Sequence, residues 1–202
     1  GCGRGCKFCV TGHSYKPLRH RGADQVIASA LAGLEFRPTI GLIGAAVSDH
    51  PDIEKICLEI IRAGGQISPA SVRADSLTPV LLEALAASGA RTLTIAPEAG
   101  SERLRSSLRK GLTDEQILSG VNGAVKAGLR RLRLYFMLGL PGETEEDIQA
   151  IATLIKNARR QGAAHVAASI CAFVPKPQTP FEREPMAPVK VIRQRMSLLK
   201  RL

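Results

Sequence analysis

The chain has 202 residues and a mass of 21.6 kDa, enough for one domain with a sizeable core. Its 45% hydrophobic and 23% charged content excludes wholesale disorder, and the shortage of aromatics (no Trp, two Tyr, five Phe) favours helices packed on parallel strands over a β-sandwich. Basic residues outnumber acidic ones, 28 to 18, so the net charge of +10 favours anionic partners without bearing on the fold. No apolar run approaches the roughly 20 residues that cross a bilayer, and the start shows no basic-then-apolar export signal. An opening at Gly1, without Met and with a cysteine motif already under way, reads as a piece of a longer polypeptide.

That opening, Gly1-Cys2-Gly3-Arg4-Gly5-Cys6-Lys7-Phe8-Cys9, spaces three thiols as C-x3-C-x2-C. Three of the five cysteines within eight positions read as metal ligands in a reducing compartment such as the cytoplasm, not as a disulfide framework. Gly3 and Gly5 let the loop curl so that the sulfurs converge, and Arg4 and Lys7 favour thiolates by their charge. An iron–sulfur cube usually takes four thiolates, so three would leave one iron open and reactive. The competing reading is a zinc knuckle held by the three thiolates alone or with His13 as a fourth ligand, although structural zinc sites usually draw on two separated pairs. The charged stretch His13–Arg21 reads as a solvated face before a helix in preference to a cover for the cluster or a clamp on an anionic substrate.

Downstream, a βα rhythm sets in. Four apolar-periodic stretches end on Gly64, Gly89, Gly128 and Gly162, the residue that best takes a left-handed conformation past a helix end. Start signals precede three of them: Thr78-Pro79, Thr113 with Gln116, and Thr144 ahead of Glu145, Glu146 and Asp147. Ser48-Asp49-His50-Pro51 plays the same part for the helix ending at Gly64. Strands are expected at roughly 39–45, 66–73, 91–97, 131–138 and 165–174, an extra helical turn near 101–109, and a final basic helix at about 188–202. Alternation with short links implies a parallel sheet with right-handed crossovers. On the helix before Gly64, Cys57 shares a face with Ile53, Ile56 and Ile60 and reads as core.

Period two then sorts the faces. Leu132, Leu134, Phe136 and Leu138 make an apolar side that should meet the helices. The opposite side, with Arg133, Tyr135 and, on the preceding strand, Glu98, lines a polar interior that suits an incompletely closed barrel. Glu98 either faces a cofactor there or pairs with Arg133. Cys171 has a parity that allows it to face this lumen, though a packed strand cysteine is preferred.

The cysteine spacing followed by this repeat resembles the radical S-adenosylmethionine superfamily. The resemblance implies an α/β fold, a partial (βα)6 TIM-type barrel spanning 1–202 as one core domain, with its first strand before Gly1. It implies that Cys2, Cys6 and Cys9 hold a 4Fe–4S cluster whose fourth iron is chelated by S-adenosylmethionine. An electron from a donor such as flavodoxin or ferredoxin then cleaves that cofactor to a 5′-deoxyadenosyl radical, which abstracts hydrogen from a substrate the sequence does not identify. Carried over by position, Gly44 and Ala45 present backbone to the methionyl amine, Glu98 faces the cofactor, and Arg103 and Lys110 are partners for its carboxylate. Leu138 and Gly139, in the turn after the fifth family strand, and Val174, after the sixth, approach it from the other side. The wording PEAGSERL, YFMLGLPGET and FVPKPQTPF is closest to members that often carry a cobalamin-binding domain, which would lie outside this chain. The tRNA methylthiotransferases have a related core, and the basic last helix (Lys190, Arg193, Arg195, Lys200, Arg201) would then grip RNA or face another domain.

Overall fold

The computed structural model describes every residue except Ser71, which falls inside the second expected strand. Among the described residues, α1 (Thr11–Ser14) and α2 (Ala23–Leu34) precede β1 (Thr39–Leu42), and α3 (Ile53–Arg62) leads to β2 (Gln66–Pro69). Next come α4 (Pro79–Ala87), β3 (Thr92–Glu98), α5 (Glu102–Ser107), α6 (Asp114–Lys126) and β4 (Arg131–Leu138). The chain ends with α7 (Glu145–Arg160), β5 (His165–Ala172) and α8 (Val189–Arg201). No helix among the described residues is long and apolar enough to cross a membrane.

Three of the four predicted helix starts work as their chemistry requires. Thr78 Oγ1 accepts from the Leu81 amide at 3.2 Å, and Thr113 and Gln116 exchange both bonds of a capping box. The Thr144 amide donates to Asp147 Oδ2 at 2.8 Å. All four terminal glycines lie at φ between 77° and 98°. The exception is Ser48–Pro51. Helix α3 begins only at Ile53, with the Asp52 amide on His50 Nδ1 at 3.0 Å, because Ser48 and Asp49 have taken distant partners. Ser48 Oγ accepts from the Arg73 amide at 3.1 Å, and Asp49 binds Arg4.

The parallel strands form two sheets, β1–β2 and β3–β4–β5, joined among the described residues by one bridge, Val72 to Ile95. The expected βα alternation is therefore present as a partial, open barrel. Three strands are shorter than expected, β2 among them, which ends at Pro69. β1 stops at Leu42 because Ile43 (89% exposed) and the following Gly-Ala-Ala leave nothing to bury, and β5 stops at Ala172 as Phe173 turns inward. On β4 the alternation is complete. Leu132, Leu134, Phe136 and Leu138 are at most 1% exposed and belong to a core shared with Ile117, Val121, Ile148 and Ile151, while Arg131, Arg133 and Tyr135 face open space on the concave side. A second, smaller core sits at the carboxyl ends of the strands, built from Ala99, Leu104, Leu108, Leu140, Phe173 and Phe181.

Candidate metal and cofactor centre

The cysteine loop rests on that smaller core. Phe8 packs against it, the Lys7 amide donates to Leu108 O at 2.9 Å, and the Phe181 amide returns a bond to Lys7 O at 3.3 Å. The Lys7 ammonium lies 5.7 Å from the centre of the Phe181 ring, which meets Phe173 edge to face. The loop is thus fixed at the carboxyl rim, where barrel enzymes place their chemistry.

Cys6 is buried; Cys2 and Cys9 are half-buried. Burial pushes the Cys6 thiol up, and Lys110 and Arg73 pull it back, whereas the neighbouring Cys9 and Cys2 add to the rise. The cations that favour a thiolate at Cys6 are therefore Lys110 and Arg73, contributed by loops beyond the motif. Arg4, expected to favour thiolates by its charge, gives its hydrogen bonds to Asp49 and Asp75 and keeps a lesser charge interaction with Cys2.

No three His, Cys, Asp or Glu side chains among the described residues stand close enough to enclose a single ion. A tetrahedral zinc would need thiolates about 3.8 Å apart, from Zn–S bonds of about 2.3 Å. An iron–sulfur cube takes one thiolate at each of three corners, so its sulfurs stand farther apart than that. His13 is occupied, its Nε2 lying 3.0 Å from Cys6 O.

Beside Cys6 lies a buried ion pair. Lys110 Nζ stands 3.3 Å from Glu98 Oε1, with side-chain exposures of 10% and 17%. Glu98 is therefore partnered by Lys110 and not by Arg133, which lies exposed on the concave face. Burial raises the Glu98 carboxyl above the usual range, opposed by Lys110 and Arg73. Glu98 also sits at φ 72°, beside an irregularity in the β3–β4 register. A non-glycine residue held in the left-handed region is strained, and such strain gathers at functional sites. Across the ladder Met137 pairs in register with Cys171, which is exposed, so Cys171 faces the open concave side and not the packed one.

The remaining predicted residues fall in different places. Gly44 and Ala45 line a cleft of about 580 Å³ together with Cys2, Gly3, Arg19 and His50. Arg103 is exposed and engages Asp147 and, at 3.0 Å, Gly142 O. That contact ties α5 to the turn before α7, and the structure does not bring Arg103 to the Glu98–Lys110 pair. Gly139 lies at φ 82°, and a Cβ there would stand 2.6 Å from Ile192 Cδ1. The close approach its small size permits is thus made by α8. Leu138 is buried in the main core, and Val174 is 48% exposed.

Much of PEAGSERL and its continuation builds the frame. Arg105, wholly buried, donates to Leu112 O at 2.7 Å, to Ala99 O at 3.1 Å and to Gly100 O at 2.8 Å, and pairs with Asp114. A side chain at Gly100 would run into the backbone of Asp147 and Ile151 on α7. Sequence reasoning missed Arg105, Arg73, Phe8 and Phe181. Only the cation spacing in Arg103-Leu104-Arg105 and the paired Phe of FVPKPQTPF carried any signal for them.

The family model described as the Radical SAM superfamily matches residues 1–155. An uncharacterized protein of Methanocaldococcus jannaschii is 38% identical over 186 residues, 91% of this chain and 41% of that protein. The tRNA-2-methylthio-N(6)-dimethylallyladenosine synthase of Corynebacterium glutamicum is 26% identical over 224 residues, 98% of this chain and 41% of that protein. Among solved structures, the radical S-adenosylmethionine methyltransferase TsrM from Kitasatospora setae, with cobalamin and a 4Fe–4S cluster bound, aligns at a TM-score of 0.68. That alignment has 19% identity over 91% of this chain and 37% of that one, a likeness of fold. The chain spans about two fifths of the length of these relatives.

Proposed function

The chain belongs to the radical SAM superfamily of iron–sulfur enzymes, and from that premise we propose that residues 1–202 are a core domain that holds a 4Fe–4S cluster and cleaves S-adenosylmethionine. Cys2, Cys6 and Cys9 are the iron ligands in this reading. The observation that carries it is the docking of a three-thiol loop at the strand ends beside a buried cation, Lys110, and a strained carboxylate, Glu98. When bound, the cluster supplies the electron that breaks the sulfonium bond of S-adenosylmethionine.

The chain's own residues do the rest. Lys110 and Arg73 keep positive charge beside Cys6 and so favour the ligating thiolate. The Glu98–Lys110 pair offers an acceptor and a donor to the ammonium and carboxylate of a methionyl group, and the backbone of Gly44 and Ala45 borders the cleft that reaches Cys2. Val174 lies exposed on the far side, whereas the Leu138 side chain is turned to the main core and Gly139 to α8, which leaves these two only their backbone to offer. Arg103 braces this wall through Asp147. Flavodoxin or ferredoxin is the donor class, and a reducing cytoplasm the compartment that keeps the thiols ligating.

For the reaction outcome we favour methyl transfer with cobalamin held by a domain outside residues 1–202, in line with the fold likeness to TsrM. Modification of tRNA is the second reading, supported by the relatives named for it and by Lys190, Arg193, Lys200 and Arg201 lying exposed on α8. Anaerobic reconstitution of the full-length protein tests the core claim: about four iron and four sulfide per chain and a brown colour are expected. Under a strong reductant S-adenosylmethionine should be consumed, and Cys6→Ala should abolish both results. One zinc in a colourless protein would overturn the reading.

A further inference from the structure

Arg4, inside the cysteine motif, gives its hydrogen bonds to two aspartates outside it. Its guanidinium forks onto Asp49, Nε to Oδ2 at 2.8 Å and Nη2 to Oδ1 at 3.0 Å, and its Nη1 reaches Asp75 Oδ2 at 3.0 Å. Asp49 belongs to the turn after β1 and Asp75 to the turn after β2. Ser76 donates its hydroxyl to Asp49, closing that turn onto the first. Asp75 is gripped a second time, by Arg73 Nε and Nη2, both at 2.9 Å, and Arg73 Nη2 continues to Lys110 O at 3.2 Å. Lys110 then meets Glu98. One unbroken chain of polar contacts therefore runs from the cysteine loop across the turns after β1 and β2 to the loop after α5 and the end of β3.

We propose that Arg4 is a positioning residue, the strut by which the loops after β1, β2 and β3 set the height and tilt of the cysteine loop. This rests on the cluster reading above. Three features support a strut over a surface ion pair. The contact to Asp49 is bidentate, a geometry that fixes direction as well as distance. Asp75 and Arg73 keep only 9% and 11% side-chain exposure, so the far end of the fork is sheltered although Arg4 itself is 38% exposed. The network that Arg4 joins also crosses the seam between the two sheets, where Arg73 bonds Lys110 O and the strands themselves contribute, among the described residues, only the Val72–Ile95 bridge. Residues that orient metal ligands without touching the metal typically change retention or activity by about 10- to 100-fold when lost.

The test uses full-length protein, reconstituted without oxygen, as wild type, Arg4→Gln, Arg4→Lys and the double variant Asp49→Asn/Asp75→Asn. The first readout is the rate at which a chelator strips iron from the cluster. Arg4→Gln and the double aspartate variant should each lose iron on the order of 10-fold faster, and Arg4→Lys should recover only part of the loss. The second readout is amide exchange of the cysteine loop in the metal-free proteins, which should quicken in the same order. Thermal melts within a few degrees of wild type show that each variant is folded; if Arg4→Gln is not, Arg4→Lys and the aspartate variant carry the comparison. Unchanged stripping and exchange in the variants overturn the strut and leave the cluster reading standing. A wild type that takes up no iron overturns both, and a change in stripping without a change in exchange overturns the strut.

Discussion

On the side of β3, β4 and β5, the cysteine loop packs its Phe8 on the core of Leu108, Phe173 and Phe181 and is pinned by backbone bonds through Lys7. On the side of β1 and β2, charge holds it, through Arg4, Asp49 and Asp75. The two grips differ in kind. Apolar burial is not screened by salt and carries most of its value in a few large side chains. A partly exposed ion pair is directional but contributes only about 0.2–1 kcal/mol and is screened by salt. The three-stranded half is thus the foundation of the site, and the two-stranded half is aligned to it.

The largest expected effect breaks the foundation. Phe173 is 1% exposed, and Phe173→Ala should cost about 3–5 kcal/mol in denaturant unfolding. A loss below about 1 kcal/mol would mean that the rim core collapses around the gap and is not what carries the loop.

Next comes Asp147, which is 3% exposed at its side chain and fastens the two loops of that half together by accepting from Ser101, the Thr144 amide and Arg103. Asp147→Ala strands those donors and should cost about 1–3 kcal/mol. Burial pushes the Asp147 carboxyl up, but the bonds from Ser101, Thr144 and Arg103 outweigh it and hold the group below the ordinary value of 3.8. The stability it gives is therefore complete above that unfolded value and lost as pH falls through the lower folded one. The gap between wild type and Asp147→Asn in denaturant melts should be flat above about pH 5 and close on further acidification. A gap that widens in acid would refute the assignment.

What the sequence made legible follows the same division. Periodicity and helix-end chemistry are local, so the strands, the glycine stops and the Thr caps could be read directly, as could Cys57 in the core. Contacts between distant loops leave no local pattern. Asp49 has the spacing of a helix cap, and nothing nearby announces that Arg4, 45 positions away, takes its side chain. Arg103 and Arg105 look alike in sequence, yet one is exposed on Asp147 and the other is the most buried charge in the chain. Gly139 reads as a ligand-facing turn, and its lack of a side chain is explained as well by Ile192. The three thiols were legible because their spacing is itself a local pattern; the cations that act on Cys6 come from elsewhere in the chain.

The charged grip gives a smaller, salt-dependent effect. In the metal-free protein, tryptic scission after Arg4 should rise roughly twofold between low salt and 1 M, matching the loss of about 0.5 kcal/mol from a screened pair. Scission after Lys7, on the apolar side, should not change. Equal salt responses at the two sites would erase the distinction between the grips.

The smallest effect asks whether the two-stranded half has a firm interior of its own. Cys57 on α3 is fully buried, and burial, with a smaller push from Glu54, raises its thiol to about 11. At pH 8 only about one molecule in a thousand would then carry the thiolate at that position, since each unit above the ambient pH removes a factor of about ten. Alkylation of the folded, metal-free protein at pH 8 should therefore label the exposed Cys171 and leave Cys57 unmodified until denaturant is added. Native-state labelling of Cys57 would require α3 to lift from β1 and β2. The charged grip would then be fastening the cysteine loop to a half that opens by itself, and Arg4 could not set the loop's position.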